Sequence, residues 1–408
     1  MVSVAISNMT IINITLIIVD ICVIVLNIAM IGKENKKMSN NSENKDSLNT
    51  IPSEQSFVYE KGKPLVEDSI LSQREHPETA ENQHLETNDI ASSTKEKRSL
   101  LSFALDLPKI ENEGEDAPPL LIASNNEYVI GVFDGMGGAG AEVYQAEDQI
   151  HTGAYFASRT AKDIVEQFVL NENAFNKEDI SNSLKEKLKN GLKKKRDSLK
   201  GSHTMLVSKM IKTLPTTMAI SFISTKDDIW QIKALWTGDS RIYLLSPDTG
   251  LIQLTKDDLS VDQDPFQNLY NDSSLNNMVN LSQDFSINVK VYETKTPCII
   301  LAASDGCFGY LPSPMHFEEL LLGTMSASGS ISEWRLKLND KLKEVAGDDC
   351  SMALVCSTSE YNTLKSDFKK RHQSLSQEMI TIDKEIKETT KAICEKHWNL
   401  YKQNNYPF

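Results

Sequence analysis

Short apolar runs bounded by turn residues recur along the chain from residue 119 onward. Runs of this length predict buried β-strands. Several neighbouring runs are separated by only a few turn residues, which forces antiparallel pairing because a parallel crossover needs a dozen residues or more. The runs are PLLIASN (119–125), EYVIGVF (127–133), TTMAISFIST (216–225), IWQIKALWT (229–237), RIYLLS (241–246), CIILAAS (298–304) and SMALVCS (351–357).

Apolar residues at helical spacing interrupt these runs. The spacing predicts one helix over 141–170, a second over 178–213 and two shorter ones within 314–345. His151 and His316 fall in these segments, and we interpret both as ordinary helix residues.

A charged tail follows the last strand run. From residue 360 its apolar residues lie three, four and seven positions apart, which predicts a helix that forms a coiled coil or packs on the domain. We expect Trp398 and Tyr401 to fix its end. The sequence thus predicts one domain over 99–358 and a C-terminal helical extension over 359–408.

The N-terminal part of the chain differs in composition from the rest. Residues 11–31 are apolar and long enough to span a bilayer, although Asp20 lies at their centre. Lysines follow directly, which predicts that 1–37 anchor a cytoplasmic catalytic domain to the inner membrane; the alternative is that Met38 is the true start. Residues 38–98 are polar and poor in aromatic residues, which predicts a disordered linker.

Charge and cysteine content exclude two classes of protein. The net charge of -14 argues against a nucleic-acid binder, whose surface is normally basic. The 6 cysteines show neither a CxxC pair nor the spacing of a zinc site, so we interpret them as reduced and mostly buried.

Two similar stretches, VFDGMGGAG (132–140) and LAASDGCFG (301–309), each run from an apolar strand into Asp-Gly. A hairpin turn is one interpretation, but predicted helices rather than strands follow both. A nucleotide-binding loop is a second, because GMGGAG (135–140) satisfies G-x-G-x-x-G. The dinucleotide-binding fold with this motif uses parallel strands, whereas the strands predicted here are antiparallel. Asp134 would also place a negative charge next to the bound pyrophosphate.

A metal site is the third interpretation, and it accounts for further acidic residues. Asp134 and Asp305 each end an apolar run, and acidic pairs precede two other runs: Glu115–Asp116 and Asp348–Asp349. Carboxylates brought together at strand ends would repel one another. Divalent cations that prefer oxygen ligands, bound between these carboxylates, would relieve that repulsion.

The order of the motifs resembles that of the metal-dependent serine/threonine protein phosphatases of type 2C, in a bacterial-like form. The resemblance implies a mixed α/β (α+β) fold, a four-layer α-β-β-α sandwich in which helices flank two central antiparallel sheets. The motifs are NEGEDA (112–117), GVFDGMGG (131–138), TTMAISF (216–222), WTGDSRIYLL (236–245), QLTKDDL (253–259), LAASDG (301–306) and GDDCSMALV (347–355).

The same resemblance implies a role for each motif residue. Asp134 would bridge two Mg²⁺ or Mn²⁺ ions, and the Gly135 carbonyl would bind one of them. Asp305 and Asp348 would complete the set of ligands around the other ion. A water activated between the ions would hydrolyse phosphoserine or phosphothreonine in a protein substrate.

Further roles follow for residues around this centre. Glu115 and Asp116 would act through coordinated water, and Asp239 with Asp305 resembles the site of a third ion. The polar segment 257–280 would border the site and select substrate, or is a surface loop without a role.

Two departures from the family's pattern bear on activity. Glu111 occupies the position of the phosphate-binding arginine, with only Lys109 nearby as a substitute, and Met136 replaces the histidine of animal members. The alternative function is therefore a pseudophosphatase, which keeps the fold as a binding or regulatory module.

Overall fold

The computed structural model describes residues 99–405 apart from 125, 147–148, 202–210, 227–228, 262–263, 272, 296 and 386–389. The predicted anchor (1–37) and linker (38–98) lie outside these residues. Within the described part of the chain, no helix is both long and apolar enough to cross a membrane.

The described strands and helices follow one another in groups along the chain. The strands are β1 (Ser102–Leu107), β2 (Leu120–Ser124), β3 (Glu127–Val132), β4 (Val143–Ala146), β5 (Gln149–Thr152), β6 (Lys200–Gly201), β7 (Met218–Lys226), β8 (Ile229–Thr237), β9 (Arg241–Ser246), β10 (Gly250–Gln253), β11 (Asn288–Lys295), β12 (Ile299–Ala303) and β13 (Cys350–Cys356). The helices are α1 (Gly153–Asn171), α2 (Ile180–Ser198), α3 (Pro265–Asn268), α4 (Pro314–Ser326), α5 (Ile331–Val345), α6 (Tyr361–Glu385) and α7 (Thr390–Asn405).

Two five-stranded antiparallel sheets form the centre of the domain. Sheet A has the strand order β1-β13-β12-β9-β10, and sheet B has the order β11-β8-β7-β3-β2. A smaller sheet, β5-β4-β6, stands beside them. The predicted fold class, mixed helices and strands with antiparallel sheets, is confirmed.

Each central strand contributes side chains to two cores, as the two-residue period of a strand requires. In β3, Ile130 and Val132 join a cluster shared with sheet A, whereas Val129 packs with helices α1 and α2. In β13, Val355 faces sheet B, and Leu354 packs toward α4–α7. The three clusters correspond to the three interfaces of the predicted helix–sheet–sheet–helix order.

The single helix predicted over 141–170 is wrong in its first third. That segment forms the hairpin β4–β5, in which Ile150 is 65% exposed, and α1 begins only at Gly153, capped by the Thr152 side chain. Strand pairing prevails there because β4 also pairs with β6, which buries Tyr144. His151 therefore lies in a strand and not, as predicted, in a helix.

The second predicted helix, over 178–213, is also shorter than expected. Helix α2 ends at Ser198, and the chain then forms β6. The two helices predicted within 314–345 are confirmed as α4 and α5. His316 lies on α4, where its Nδ1 is 2.7 Å from the Ser313 hydroxyl.

Of the two arrangements predicted for the C-terminal tail, the structure shows packing on the domain. Seven apolar residues of α6 and α7 are buried in the core that covers the outer face of sheet A: Leu364, Phe368, Leu375, Met379, Ile382, Trp398 and Tyr401. The tail is joined to α4 by an ion pair between Arg371 and the fully buried Glu318, at 2.6 Å. Tyr401 donates to the same carboxylate at 2.5 Å.

Candidate metal centre

The sheet topology brings the predicted acidic residues to one edge of the sandwich. In sheet B, β3 and β8 run in the same direction, so Asp134 and Asp239 follow strands that end at the same side. Asp116 precedes β2, which is antiparallel to β3. In sheet A, β12 ends just before Asp305, and the antiparallel β13 begins just after Asp348.

Asp134 and Asp305 are in direct side-chain contact across the two sheets. Each carboxyl is close enough to act on the pKa of the other. Burial raises the pKa of Asp134 well above its ordinary value, and the neighbouring charges of Asp116, Asp305 and Asp239 raise it further. The pKa of Asp305 is likewise raised, chiefly by burial. Two carboxylates this close repel each other, and a bound cation would relieve that repulsion.

Main-chain contacts fix both aspartates. The carbonyl of Asp134 accepts from the Thr217 N–H at 2.8 Å and the Thr216 hydroxyl at 2.6 Å. Asp305 opens a single 3₁₀ turn, and its carbonyl accepts from the Gly309 N–H at 2.6 Å. A Cβ at Gly306 would lie 1.9 Å from the Asp349 carbonyl oxygen, so glycine is needed where these loops meet.

Asp116 is the most deeply buried member of the group. Only 5% of this residue is exposed, and its Oδ2 has no hydrogen-bond partner among the described residues. Burial raises the pKa of Asp116 well above its ordinary value, although the hydroxyls of Ser304 and Ser351 act in the opposite direction. A buried carboxyl oxygen without a partner is the kind of atom that a metal ion or its water satisfies.

The neighbouring acids Asp348 and Asp349 have different surroundings. Asp349 accepts from the backbone N–H groups of Lys109 at 2.7 Å and Glu115 at 2.6 Å, so its carboxylate holds the loop that carries Asp116. Asp348 is exposed and close enough to Asp305 to raise the pKa of that carboxyl. Of the two, Asp348 is therefore the residue available to a cation.

Glu115 is partly committed to structural bonds. Its Oε1 accepts from the Thr152 hydroxyl at 2.5 Å, and its main-chain oxygen accepts from the Ser158 hydroxyl at 2.5 Å. Burial raises the pKa of Glu115, and the charges of Asp349 and Asp348 add to that effect. Glu115 thus lies at the border of the acidic group, with one oxygen already bonded.

Asp239 opens onto a cleft of about 390 Å³ that Asp305 also lines. Burial, with the charges of Asp305 and Asp257, raises the pKa of Asp239 to about 8. Behind it, the Arg241 guanidinium forms a bidentate pair with Asp257, at 2.9 and 2.6 Å, in which both side chains are 3% exposed. Sequence reasoning missed this pair, since nothing in the spacing of Arg241 and Asp257 distinguishes them from surface charges.

Sequence reasoning also missed Arg159, a cation beside the acidic group. Its guanidinium donates to the carbonyls of Gly114 at 3.1 Å and Glu115 at 3.3 Å and lies 3.5 Å from the centre of the Tyr155 ring. Glu111 and Lys109 are both exposed. Arg159 sits on α1, in a helical pattern that gives no signal of its role.

The oxygen donors of this acidic group are of the kind that Mg²⁺ or Mn²⁺ binds, although they do not form a complete set of metal ligands. In the part of the chain that the structure describes, no group of three or more His, Cys, Asp or Glu side chains is arranged to hold a metal ion as it stands. The carboxyl contact between Asp134 and Asp305 and the partnerless oxygen of Asp116 nonetheless concentrate hard donors at one edge.

Comparison with known proteins gives similarity at the level of solved structures. No family model and no curated protein matches this chain. One similar structure is the serine/threonine phosphatase PstP/Ppp of Mycobacterium tuberculosis, with 16% identity, a TM-score of 0.43 and coverage of 64% of this chain and 99% of that one. A PstP catalytic domain in complex with 2 manganese ions has 17% identity, a TM-score of 0.41 and coverage of 64% and 99%. Stp1 from Staphylococcus aureus has 15% identity, a TM-score of 0.44 and coverage of 68% and 99%.

Proposed function

We propose that this chain hydrolyses phosphoserine and phosphothreonine in proteins with the help of divalent cations. The observation that carries the proposal is the contact between the Asp134 and Asp305 carboxyls, one from each sheet, at an edge where burial raises the pKa of both. Such a pair is unfavourable for the protein alone and favourable around a cation. It also matches the roles implied by the motif order.

The proposed ligands are those that the motif resemblance implies. Asp134, the Gly135 carbonyl, Asp305 and Asp348 would hold two Mg²⁺ or Mn²⁺ ions. Glu115 and Asp116 would contribute through water, and Asp239 with Asp305 would take a third ion. When bound, the cations supply activation of water and neutralisation of charge on the phosphoryl oxygens.

The chain itself positions the reacting groups. Asp349 and Arg159 fix the loop that carries Asp116, and the Arg241–Asp257 pair closes the inner wall of the cleft. Met136 has no proton to donate, so the leaving hydroxyl takes its proton from water. The exposed Tyr270 and Tyr310 line the cleft together with Asp239 and Asp305, so a phosphorylated side chain presented by a protein would meet both rings.

One observation favours the second candidate, a binding module without turnover. The two arginines nearest the acidic group are committed to internal bonds, Arg241 with Asp257 and Arg159 with main-chain carbonyls. Lys109 is exposed and uses its backbone N–H to bind Asp349. Capture of the substrate phosphate would then depend on the cations alone.

Hydrolysis of p-nitrophenyl phosphate by the full chain separates the two candidates. We expect turnover that requires Mn²⁺, is abolished by chelation and is lost in Asp134→Asn. Lys162→Met, which removes a partly exposed ion pair with Glu166 on α1, serves as the control and should retain activity. Binding of Mn²⁺ without turnover would favour the binding module, and neither binding nor turnover would contradict both candidates.

A further inference from the structure

One wall of the cleft is built by the polar segment around α3. Asn268, Leu269, Tyr270, Asn271 and Ser273 line the same cleft as Asp305 and Tyr310. Asn268 is tied to the inner wall because its amide donates to Asp257 at 2.8 Å. The position of α3 therefore sets the width of the cleft.

Asp264 joins this segment to the C-terminal helix α7. It caps α3, since its Oδ1 accepts from the backbone N–H groups of Phe266 at 2.9 Å and Gln267 at 3.0 Å. The same carboxylate accepts from the Trp398 indole at 3.2 Å and from the Lys402 ammonium at 2.5 Å. One side chain thus bonds both to the first turn of α3 and to α7.

A second contact links the start of α7 to the lip of the cleft. The Lys391 ammonium lies 4.7 Å from the centre of the Tyr270 ring, a cation–π distance. The Tyr270 hydroxyl donates to the Pro312 carbonyl at 2.8 Å, which holds the ring across the loop that follows Tyr310. Two positions of α7 therefore contact the two ends of the same wall.

An open pocket of about 840 Å³ adjoins this junction, and Asp264, Asn268 and Lys402 are among its lining residues. Phe266 of α3 belongs to the same buried cluster as Trp398 and Tyr401 of α7. The bonds at Asp264 and this apolar cluster therefore both connect α3 with the C-terminal helices.

We infer that the C-terminal helix α7 positions the substrate-facing wall of the cleft through Asp264, which acts as a positioning residue for protein substrates. This inference rests on the proposed function. A small phosphate ester needs only the acidic edge, whereas a phosphorylated peptide also contacts the wall formed by α3 and Tyr270. Loss of the bonds between Asp264 and α7 should therefore weaken the binding of a phosphorylated peptide and leave the hydrolysis of a small phosphate ester unchanged.

Two variants test the join in the full-length protein. Lys402→Met removes the ammonium and keeps the length of the side chain, and Asp264→Asn keeps a residue that caps helices well. Lys369→Met, at an exposed position of α6, is the charge-matched control. With Mn²⁺ present, we expect KM for a phosphothreonine peptide to rise about three- to fivefold in Lys402→Met, as the loss of a partly exposed ion pair implies. In the same variant, kcat for p-nitrophenyl phosphate should stay unchanged. In Lys369→Met, both KM for the peptide and kcat for p-nitrophenyl phosphate should stay unchanged.

A second readout does not depend on activity. Hydrogen exchange of the backbone amides at 266–271 should be faster in Lys402→Met and Asp264→Asn than in the unaltered chain, with or without Mn²⁺. Equal loss of kcat on both substrates without a change in KM, or unchanged exchange at 266–271, would overturn the inference. Failure of the unaltered chain to hydrolyse either substrate would contradict the proposed function instead, and the exchange experiment would still test the join.

Discussion

The Asp349 carboxylate accepts a hydrogen bond from the backbone N–H of Glu115 at 2.6 Å, across 234 positions of the sequence. It also accepts from the N–H of Lys109 at 2.7 Å. These bonds fix the loop before β2 against the loop before β13, and Asp116 is positioned as a result. One of two adjacent aspartates, Asp349, thus fixes the loops at this edge, whereas the other, Asp348, is exposed.

Removal of this clamp should weaken cation binding without touching a proposed ligand. In Asp349→Ala the two amides lose their acceptor, and we expect Mn²⁺ affinity to fall about 10- to 100-fold, the usual effect of losing a group that orients metal ligands. Isothermal titration with Mn²⁺ measures it. Asp349→Asn keeps one acceptor oxygen and should recover part of the affinity; identical affinities in all three proteins would contradict this role.

The glycines of the DGMGG stretch should differ in their tolerance of alanine. A Cβ at Gly135 would lie 2.4 Å from the Glu115 carbonyl oxygen, whereas a Cβ at Gly138 would meet nothing within 4 Å. We expect Gly135→Ala to lower the free energy of unfolding by about 2–3 kcal/mol, as overpacking does, and Gly138→Ala to change it by less than about 0.5 kcal/mol. Urea unfolding of the two variants in the same buffer would refute the close packing if their midpoints coincided.

The buried Glu318–Arg371 pair should be a major source of stability for the C-terminal helices. Glu318 is fully buried and also accepts from the Tyr401 hydroxyl. Glu318→Gln leaves a guanidinium without its counter-charge, for which we expect a loss of about 3–5 kcal/mol in chemical unfolding. Lys341→Met, which breaks an exposed pair with Glu344, should change the same quantity by less than about 1 kcal/mol. Comparable losses in the two variants would show that burial of the first pair has no special effect.

Acid should selectively remove the contribution of Asp264. Burial acts to raise the pKa of this carboxyl, but the hydrogen bonds and charge of Lys402 prevail, and the folded-state pKa is lowered from 3.8. A carboxyl whose pKa is lower in the folded chain than in the unfolded chain stabilises the fold at pH values above its unfolded-state pKa. That stabilisation is lost as the pH falls through its folded-state pKa. The difference in Tm between the unaltered chain and Asp264→Asn should therefore narrow as the pH is lowered from 6 toward 3. A difference that is constant or grows in acid would contradict the assignment.

The sequence predicted best the positions of residues that border buried strands. Asp134 and Asp305 follow buried apolar runs and Asp348 precedes one; antiparallel pairing in sheet A brings Asp305 and Asp348 to one edge, and Asp134 of sheet B lies close to Asp305 there. The pattern could not separate Asp348 from Asp349, because adjacent residues have the same composition and spacing and only the fold shows which one meets the amides of Lys109 and Glu115.

The errors and omissions have equally specific causes. Residues 143–152 carry apolar residues at helical spacing, but cross-strand pairing with β6, contributed from beyond α2, makes them a hairpin. The roles of Arg159 and Arg241 depend on carbonyls and carboxylates distant in sequence, and Asp264 reaches Lys402 across 138 positions. Contacts of that range leave no periodic trace in a single sequence.

Anomalous diffraction at the manganese edge, from crystals grown with Mn²⁺, would show where the cations bind relative to the acidic group. We expect anomalous peaks in contact with the carboxylates of Asp134 and Asp305, with Asp348 among the ligands of one ion. Peaks found only elsewhere on the surface, with no cation at Asp134 or Asp305, would contradict the proposed metal centre.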